Sequence, residues 1–393
     1  MVSNILYVGR CPPHRGGPAI RFATLFNRLA QNGCAIRALD PITPEDSTIS
    51  GGYSWHFHDR VQLFDRYKCS YYTTVSDSGS TADRQRYAAY MEDLLPRLVA
   101  ADRPDLVLVG GEFFANGLIG VAKRLGIPTV LTPTGGIPAY FRGVLPKKAG
   151  ELLLADASEA DLIIACAAHL GQDLRTAGFD NVETIQNFVD TEKLSDGARD
   201  AGLLRQLEIE DGDSVVLHVS NMVPSKRDID VAGAARLALK RDPRLVFVVV
   251  GDGPSQSAFE AACERDGTRA RFRFVGWVDH GRMSAFYRIG DVVVSPSETE
   301  GLALTYLESQ ACGCVICASD IPAAHEVIAH DHTGLLFRMG DIQDLADKIL
   351  RVAGDKEMRA RIGAAAQTFV RRHHSLDHAV AKYQAAFERL VMR

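Results

Sequence analysis

The stretch of the chain with the clearest chemical potential is PSETEGLALTYLESQACG, residues 296–313, which carries two glutamates around a glycine. Glu300 and Glu308 are eight positions apart, at what the pattern predicts to be the start of a helix. Two helical turns rise by roughly 12 Å, and carboxylates accept hydroxyl hydrogen bonds well. The pair therefore suits a long ligand with a diphosphate at the helix start, which Gly301 lets the backbone approach closely.

The same residues also have a purely structural interpretation. Ser297-x-x-Glu300 matches a capping box, in which the glutamate returns a hydrogen bond to the start of the helix. A glutamate in the first turn is favoured by the helix dipole by about 0.3–1 kcal/mol. Glu308 would then point into water. This stretch on its own leaves both interpretations open.

The elements that must position these residues follow from the hydrophobic pattern, in which short apolar runs alternate with longer amphipathic stretches. The runs are continuous, as expected when helices cover both faces of a parallel sheet, so the fold class is doubly wound α/β. The predicted strands are residues 4–9, 105–111, 128–133, 160–167, 214–221, 244–253, 271–278, 291–297 and 314–320.

At ~150 residues per domain, the 393-residue chain is long enough for two domains. A polar, weakly structured segment at 190–200 places the boundary, giving domains 1–195 and 196–375. Residues 376–393 form an amphipathic helix that is expected to pack back on the N-terminal domain. Ligands of such sheets bind beyond the carboxyl ends of the strands, so the loops after each strand are the candidate sites.

Composition narrows the function classes. A net charge of −5 with 24% charged residues does not favour an electrostatic nucleic-acid binder. Eight cysteines scattered through the chain indicate reduced thiols. No basic, apolar leader and no apolar run of ~18 residues is evident, so a cytoplasmic, soluble location is expected. The segment 51–85 is rich in aromatic residues and serine and interrupts the alternation of apolar and amphipathic stretches. It is either an insertion that binds substrate or a surface loop without a binding role.

Several motifs together resemble one family. They are the E-x7-E of residues 300–308, the Gly16-Gly17 loop, NFVD (187–190), LHVSNMVPSKRD (217–228), VVVGDGP (248–254) and SDIPAAHEVIAHDHTGLLF (319–337). In order and spacing they resemble the GT4-like group of retaining glycosyltransferases, over nearly the whole chain. The resemblance implies the GT-B fold, with two Rossmann-like domains facing a central cleft.

The resemblance also implies roles for individual residues. Glu308 would hold the nucleotide ribose, Glu300 would contact the donor sugar, and Lys226 would neutralise the diphosphate of the leaving nucleotide. The remaining donor-binding positions would be Gly301, Leu302, Ala303, Leu304, Asn221 and Gly253. The acceptor would lie on the N-terminal domain near Gly16, Gly17, Thr134 and the 51–85 segment.

Three positions depart from the family pattern. Asn221 stands where the phosphate-binding segment usually has an arginine, and Arg227 is the neighbouring cation that would replace its charge. Thr134 stands where many members have a histidine near the reacting sugar, and a hydroxyl cannot carry charge. Gly301-Leu302-Ala303 replaces the usual Gly-Phe-Gly, which narrows the space above the donor.

The implied reaction is front-face transfer, with retention, of a hexose or N-acetylhexosamine from a nucleotide diphospho-sugar, expected to be UDP-linked, to an acceptor hydroxyl. No cofactor and no metal is expected. Two alternatives remain: a GT-B relative acting as a sugar-nucleotide epimerase, and a non-catalytic nucleotide-sugar-binding subunit, which Asn221 and Thr134 motivate.

Other motifs receive plainer interpretations. The cysteines at 312, 314 and 317 do not form a clean zinc knuckle. His56-Phe57-His58 is assigned to surface residues of the insertion, and Asp228-Ile229-Asp230 to helix N-capping. The basic, aromatic segment 140–154 could touch an anionic membrane, but Pro146 and Gly150 are expected to interrupt any helix there, which favours an acceptor-side loop.

Overall fold

A computed structural model describes residues 2–12, 16–39, 57–63, 81–134, 136–143 and 145–392 of the chain. Most of the 51–85 segment, including His56, lies outside the described residues. The chain forms two compact units, one of Met1–Asn187 with Leu376–Arg393 and one of Phe188–Ser375. No helix among the described residues is long and apolar enough to cross a membrane.

The described part of the first unit is built on a parallel sheet with strand order β3-β2-β1-β4-β5-β6-β7. Its strands are β1 (Asn4–Gly9), β2 (Ala35–Leu39), β3 (Val61–Leu63), β4 (Leu106–Gly110), β5 (Thr129–Leu131), β6 (Leu162–Ala165) and β7 (Val182–Thr184). Every residue of β4 is buried, as a strand covered on both faces requires.

Helices cover the faces of this sheet. They are α1 (Gly17–Gln31), α2 (Thr81–Ala101), α3 (Leu118–Arg124), α4 (Gly136–Phe141), α5 (Lys147–Ser158) and α6 (Ala168–Thr176), with α15 (Leu376–Val391) from the end of the chain. The apolar side of α1 places Phe22 and Phe26 against Tyr7 of β1, with ring centroids 4.8 and 4.7 Å from it.

Helix α15 packs on α1 within the first unit. Asp377 forms an ion pair with Arg28, and Gln384 accepts a hydrogen bond of 3.2 Å from Asn32. The opposite end of α15 is held by Arg389, whose guanidinium lies 2.6 Å from the Glu183 carboxylate on β7. The final segment therefore completes a unit that begins with the first strand.

The second unit contains a parallel sheet with strand order β10-β9-β8-β11-β12-β13. Its strands are β8 (Ser214–Val219), β9 (Leu245–Val250), β10 (Phe272–Gly276), β11 (Val292–Ser295), β12 (Val315–Ser319) and β13 (Leu335–Phe337). Its helices are α7 (Ala201–Gln206), α8 (Asp228–Ala238), α9 (Gln256–Arg265), α10 (Met283–Ile289), α11 (Leu304–Ala311), α12 (Pro322–His325), α13 (Ile342–Gly354) and α14 (Lys356–His373).

The doubly wound α/β fold is confirmed, and each strand predicted from an apolar run is present. The strands that the pattern did not identify, β2, β3, β7 and β13, are short, with five residues or fewer each. Three of them, β3, β7 and β13, are edge strands, and they are strands because they pair with a neighbouring strand and not because of a strong local pattern.

The boundary lies after Asn187 and not after residue 195. The segment that follows is polar, but it is anchored on the second unit. The Val189 amide donates to the His374 carbonyl at 3.0 Å, and the Arg288 side chain donates to the Ser195 carbonyl at 2.9 Å. The low hydrophobicity of this segment therefore reflects a surface segment that is hydrogen-bonded to the second unit, and not a linker.

The expected break at Gly150 was also wrong, because Gly150 lies within α5. A Cβ atom at this position would lie 1.9 Å from the Tyr140 ring of α4. The glycine therefore allows the two helices to pack closely, and Pro146 is the residue that precedes the first turn of α5.

Candidate functional site

The central feature of the candidate site is an ion pair between Lys226 and Glu300 in the second unit. Lys226 follows β8 and Glu300 follows β11, and these two strands are parallel neighbours, so their carboxyl ends meet at one edge of the sheet. The two loops are joined by a 2.9 Å hydrogen bond from the Glu298 amide to the Ser225 carbonyl. The Glu300 side chain is 11% exposed and that of Lys226 is 25% exposed.

The helix that carries Glu308 starts later than the sequence predicted. Helix α11 begins at Leu304, and its N-cap residue is Ala303, which provides no side-chain cap. The capping-box interpretation of Ser297 and Glu300 is therefore wrong: Ser297 contacts Ser295, and the Glu300 carboxylate binds Lys226. The helical distance between the two glutamates does not apply either, because Glu300 lies in the preceding loop.

Glu308 does not point into water. It is only 5% exposed, and each of its carboxylate oxygens has a side-chain partner. The Nε2 atom of His280 lies 2.9 Å from Oε1, and the Tyr287 hydroxyl donates to Oε2 at 2.7 Å. The structure thus brings together three residues from the turn after β10, from α10 and from α11.

The electrostatics of this cluster favour an ionised Glu308. Burial by itself would raise the pKa of this carboxyl, but the charge and hydrogen bond of His280, with the hydrogen bond of Tyr287, bring its pKa below the ordinary value. Burial opposes protonation of His280, but the Glu308 carboxylate, and then Asp279, raise the pKa of His280. Burial and Glu308 raise the pKa of Tyr287 well above its usual range, so its hydroxyl remains a donor.

Arg227 and the two aspartates that follow it make contacts other than those expected. Arg227 adopts a left-handed conformation with φ 51°, and its guanidinium lies 2.7 Å from Asp230 and 4.0 Å from Glu298. Asp228 is buried and lies 2.8 Å from Nε2 of His218. Neither carboxylate caps α8, so the N-capping interpretation was wrong. Burial opposes ionisation of Asp228, but His218 holds the pKa of this carboxyl below its usual value.

The remaining donor-side residues line the same edge of the second sheet. Asn221 is exposed, and a Cβ atom at Gly253 would lie 2.0 Å from the Asn221 carbonyl oxygen. Gly253 therefore allows the turn after β9 to contact the loop after β8. Leu302 is buried, whereas Gly301, Ala303 and Leu304 are half-buried.

On the first unit, Gly16 precedes α1 with φ 106° and Gly17 is the first residue of that helix. The loop that carries Thr134 is held by a residue that the sequence motifs do not include. Glu112 is fully buried and accepts backbone hydrogen bonds of 2.8 Å from both Thr134 and Ile137. The signal in the sequence was a charged residue in the turn that follows the fully buried strand β4.

The cysteines after α11 are buried. Burial raises the pKa of both Cys312 and Cys317 to about 12, and the Cys314 thiol donates to the Tyr287 carbonyl at 2.8 Å. Within the described ranges, no group of three or more His, Cys, Asp or Glu residues could hold a metal ion.

Comparison with known protein families gives two matches. Residues 15–193 match the model described as Glycosyltransferase Family 4, and residues 203–369 match the one described as Glycosyl transferases group 1. The chain is similar to a D-inositol 3-phosphate glycosyltransferase from Frankia alni, at 31% identity over 71% of the chain and 73% of the relative. It is also similar to sulfoquinovosyl transferase SQD2 of Arabidopsis thaliana, at 26% identity over 77% of the chain. The chain spans 58% of that relative's length.

Solved structures with the same fold cover almost the whole chain. Sucrose-phosphate synthase from Thermosynechococcus elongatus superposes with a TM-score of 0.82 at 18% identity, over 99% of both chains. HepE from Anabaena, in complex with UDP and glucose, superposes with a TM-score of 0.77 at 16% identity, over 99% of this chain and 100% of HepE. The chain therefore belongs to the GT4-like glycosyltransferases and has the GT-B fold.

Proposed function

We propose that this protein is a retaining, metal-independent glycosyltransferase that moves a hexose or N-acetylhexosamine from a UDP-linked sugar to an acceptor hydroxyl. The observation that carries the proposal is the Lys226–Glu300 pair at the carboxyl ends of β8 and β11. It places a cation and a carboxylate together where a parallel sheet binds its ligands.

Lys226 supplies the charge that the reaction needs. As the glycosidic bond to the diphosphate breaks, negative charge grows on the leaving oxygen, and an ammonium group nearby lowers the energy of that state. The amides at the start of α11 add a partial positive charge, because its first turn has no side-chain cap. Arg227 contributes less directly, since its guanidinium already binds Asp230.

Glu300 is the carboxylate that we assign to the donor sugar. Lys226 binds this carboxylate, and the donor's diphosphate would draw Lys226 away, leaving Glu300 to accept sugar hydroxyls. Glu308 is assigned to the ribose diol. The solved complexes of HepE with UDP-glucose and with UDP support a uridine nucleotide as the donor's leaving group.

A cation from the protein takes the place that a metal ion has in other glycosyl transfers. The Asp228-Ile229-Asp230 motif does not offer paired carboxylates to a metal, because Asp228 binds His218 and Asp230 binds Arg227. Front-face transfer would give retention, with the leaving diphosphate accepting the proton of the incoming hydroxyl. The acceptor is assigned to the first unit, near Gly16, Gly17 and Thr134.

A thermal-shift panel of UDP, GDP and ADP with their common sugars tests the donor site. At a ligand concentration about 100 times Kd, binding stabilises the fold by about 2.7 kcal/mol. We expect UDP-sugars to shift the wild type, Glu308→Ala to lose the shift, and EDTA to change nothing. A panel in which no nucleotide shifts the protein would overturn the proposal.

Product analysis with the bound donor separates the remaining possibilities. An α-linked product from an α-linked donor, identified by NMR with simple glycoside acceptors, is the expected outcome. Epimerised donor without transfer would indicate an epimerase, and donor binding without either product would indicate a non-catalytic subunit.

A further inference from the structure

We propose that His280 and Tyr287 are positioning residues for nucleotide binding, which fix the Glu308 carboxylate so that its unused lone pairs accept a ribose diol. This inference rests on the proposed function, because it assumes that Glu308 is the ribose ligand. Three different elements of the second unit supply the cluster.

The hydrogen-bond inventory of a carboxylate carries the first step. An ionised carboxylate has about four acceptor positions and no donor. One position on Oε1 is used by His280 at 2.9 Å, and one on Oε2 is used by Tyr287 at 2.7 Å. One position on each oxygen is left, and two adjacent hydroxyl groups, as in a ribose 2′,3′-diol, match that arrangement.

Rigidity is the second step. The Tyr287 side chain is completely buried in α10, so its hydroxyl cannot move away. His280 is held by the turn after β10, where the Asp279 side chain accepts from the Gly281 amide at 2.8 Å. A carboxylate held at both oxygens from different elements keeps one orientation, and pre-organised groups lose less entropy when a ligand binds.

Access is the third step. The Glu308 side chain is 7% exposed and the His280 side chain is 18% exposed, so the cluster lies at the edge of the core and not in its centre. A buried carboxylate with donors on both oxygens would satisfy a purely structural role as well. The experiment must therefore distinguish ribose binding from stability.

The discriminating measurement compares a nucleoside diphosphate with its 2′,3′-dideoxy form by isothermal titration calorimetry. The nucleotide is whichever of UDP, GDP or ADP gives the largest thermal shift. The wild type should bind the parent form about 100-fold more tightly, because two hydrogen bonds to a charged group are lost in the analogue. Glu308→Ala should abolish this ratio.

Tyr287→Phe and His280→Gln test the inference itself. Each should weaken binding of the parent nucleotide by about tenfold and leave the dideoxy form unchanged, because each acts through Glu308 on the diol alone. Tyr87→Phe, which removes a buried tyrosine hydroxyl bonded to the Phe114 carbonyl in the first unit, is the matched control. His325→Gln is the control for a second histidine–carboxylate pair, with Asp320. Both controls should bind like the wild type.

The outcomes separate the two proposals. If Glu308→Ala abolishes discrimination but Tyr287→Phe and His280→Gln retain it in full, the positioning role is overturned and the donor site stands. Equal weakening of both nucleotides would also overturn it, because a structural role gives that result. If the wild type binds both forms equally, or binds no nucleotide, the ribose assignment and this inference fail together. If Tyr287→Phe does not fold, His280→Gln decides the question, because the His280 side chain is partly exposed.

Discussion

The Lys226–Glu300 ion pair has a structural and a chemical role that substitutions can separate. The Glu300 side chain is largely buried, so removal of Lys226 leaves a carboxylate with a reduced hydration shell and without its cation. The desolvation cost of such a pair offsets much of its attraction, so loss of both partners should cost less than loss of one.

A double-mutant cycle tests this separation. We expect Lys226→Met to lower the free energy of unfolding by about 1–3 kcal/mol, and the double variant with Glu300→Gln to recover part of that loss. Sugar transfer should fall by about 100-fold or more in Lys226→Met and stay low in the double variant, since the leaving diphosphate still lacks its cation. Urea denaturation and turnover measure the two effects. A double variant with restored turnover would contradict the role of Lys226.

The His280–Glu308 pair predicts how stability depends on pH. The pKa of His280 is raised above its ordinary value of 6.5, so its stabilising contribution is complete below pH 6.5 and is lost as the pH rises through the raised value. The pKa of Glu308 is lowered from 4.5, so its contribution is present above pH 4.5 and is lost as the pH falls through the lowered value. The groups that act on His280 are Glu308, Asp279 and Lys193, with Tyr287 on the opposite carboxylate oxygen.

The measurement is the difference in Tm between the wild type and His280→Gln from pH 5 to pH 9. We expect the wild-type advantage to be largest near pH 5–6.5 and to shrink as the pH rises. Tyr87→Phe, which removes a buried hydroxyl but no histidine, is the control. An advantage that grows toward alkaline pH would contradict the raised pKa of His280.

At the scale of elements, loops after strands position Lys226, Glu300 and Thr134, and buried side chains hold two of those loops in place. Glu112, in the turn after β4, accepts hydrogen bonds from the Thr134 and Ile137 amides and so fixes both the Thr134 loop and the start of α4. His218, on β8, binds Asp228 in the first turn of α8, next to Lys226. In both loops a buried polar group, and not local sequence preference, determines the conformation.

Substitution of Glu112 tests the acceptor side. Glu112→Ala leaves the buried Ile137 amide and the half-buried Thr134 amide without their acceptor, so we expect a loss of about 1–3 kcal/mol in the free energy of unfolding. With a functional acceptor, KM for that acceptor should rise while the donor Kd stays at the wild-type value, because the change lies in the first unit. Glu92→Gln, on the exposed surface of α2, is the control. A change in donor Kd alone would contradict the assignment of this loop to the acceptor.

At the scale of the whole molecule, the chain builds the first unit from two distant parts, whereas the second unit is one continuous segment. Helix α15 belongs to the unit formed by the first strands, although it follows the second unit in sequence. Its buried residues are Leu376, Ala379, Val380, Tyr383, Ala386, Phe387 and Leu390. The first unit is therefore completed only when the last helix is in place.

Deletion of residues 376–393 should selectively destabilise the first unit. Burial of each large apolar side chain contributes about 1.5–3 kcal/mol, so we expect a loss above about 4 kcal/mol in the calorimetric transition that contains this unit. Asp377→Asn removes only the exposed end of the ion pair with Arg28 and should cost less than about 1 kcal/mol. An unchanged thermogram after the deletion would contradict this account of α15.

Much of the fold could be predicted from local pattern. Continuous apolar runs such as 244–253 and 291–297 identify central strands, because only strands covered on both faces lack polar residues. The start of α11 could not be predicted, since Ser297 and Glu300 satisfy a local capping rule whereas Lys226, 74 positions away, binds the glutamate. The predicted domain boundary was misplaced for the same reason. The polar segment after Asn187 gives no local sign that it forms hydrogen bonds with His374 and Arg288.

The sequence by itself determined the doubly wound α/β class, the order of the motifs and the family to which they belong, because these depend on periodicity and spacing along the chain. Only the tertiary structure decided that Glu300 binds Lys226, that Glu308 is held by His280 and Tyr287, and that Glu112 supports Thr134. These contacts join residues that lie 21 to 74 positions apart, and parallel strands bring such residues together without leaving any local pattern.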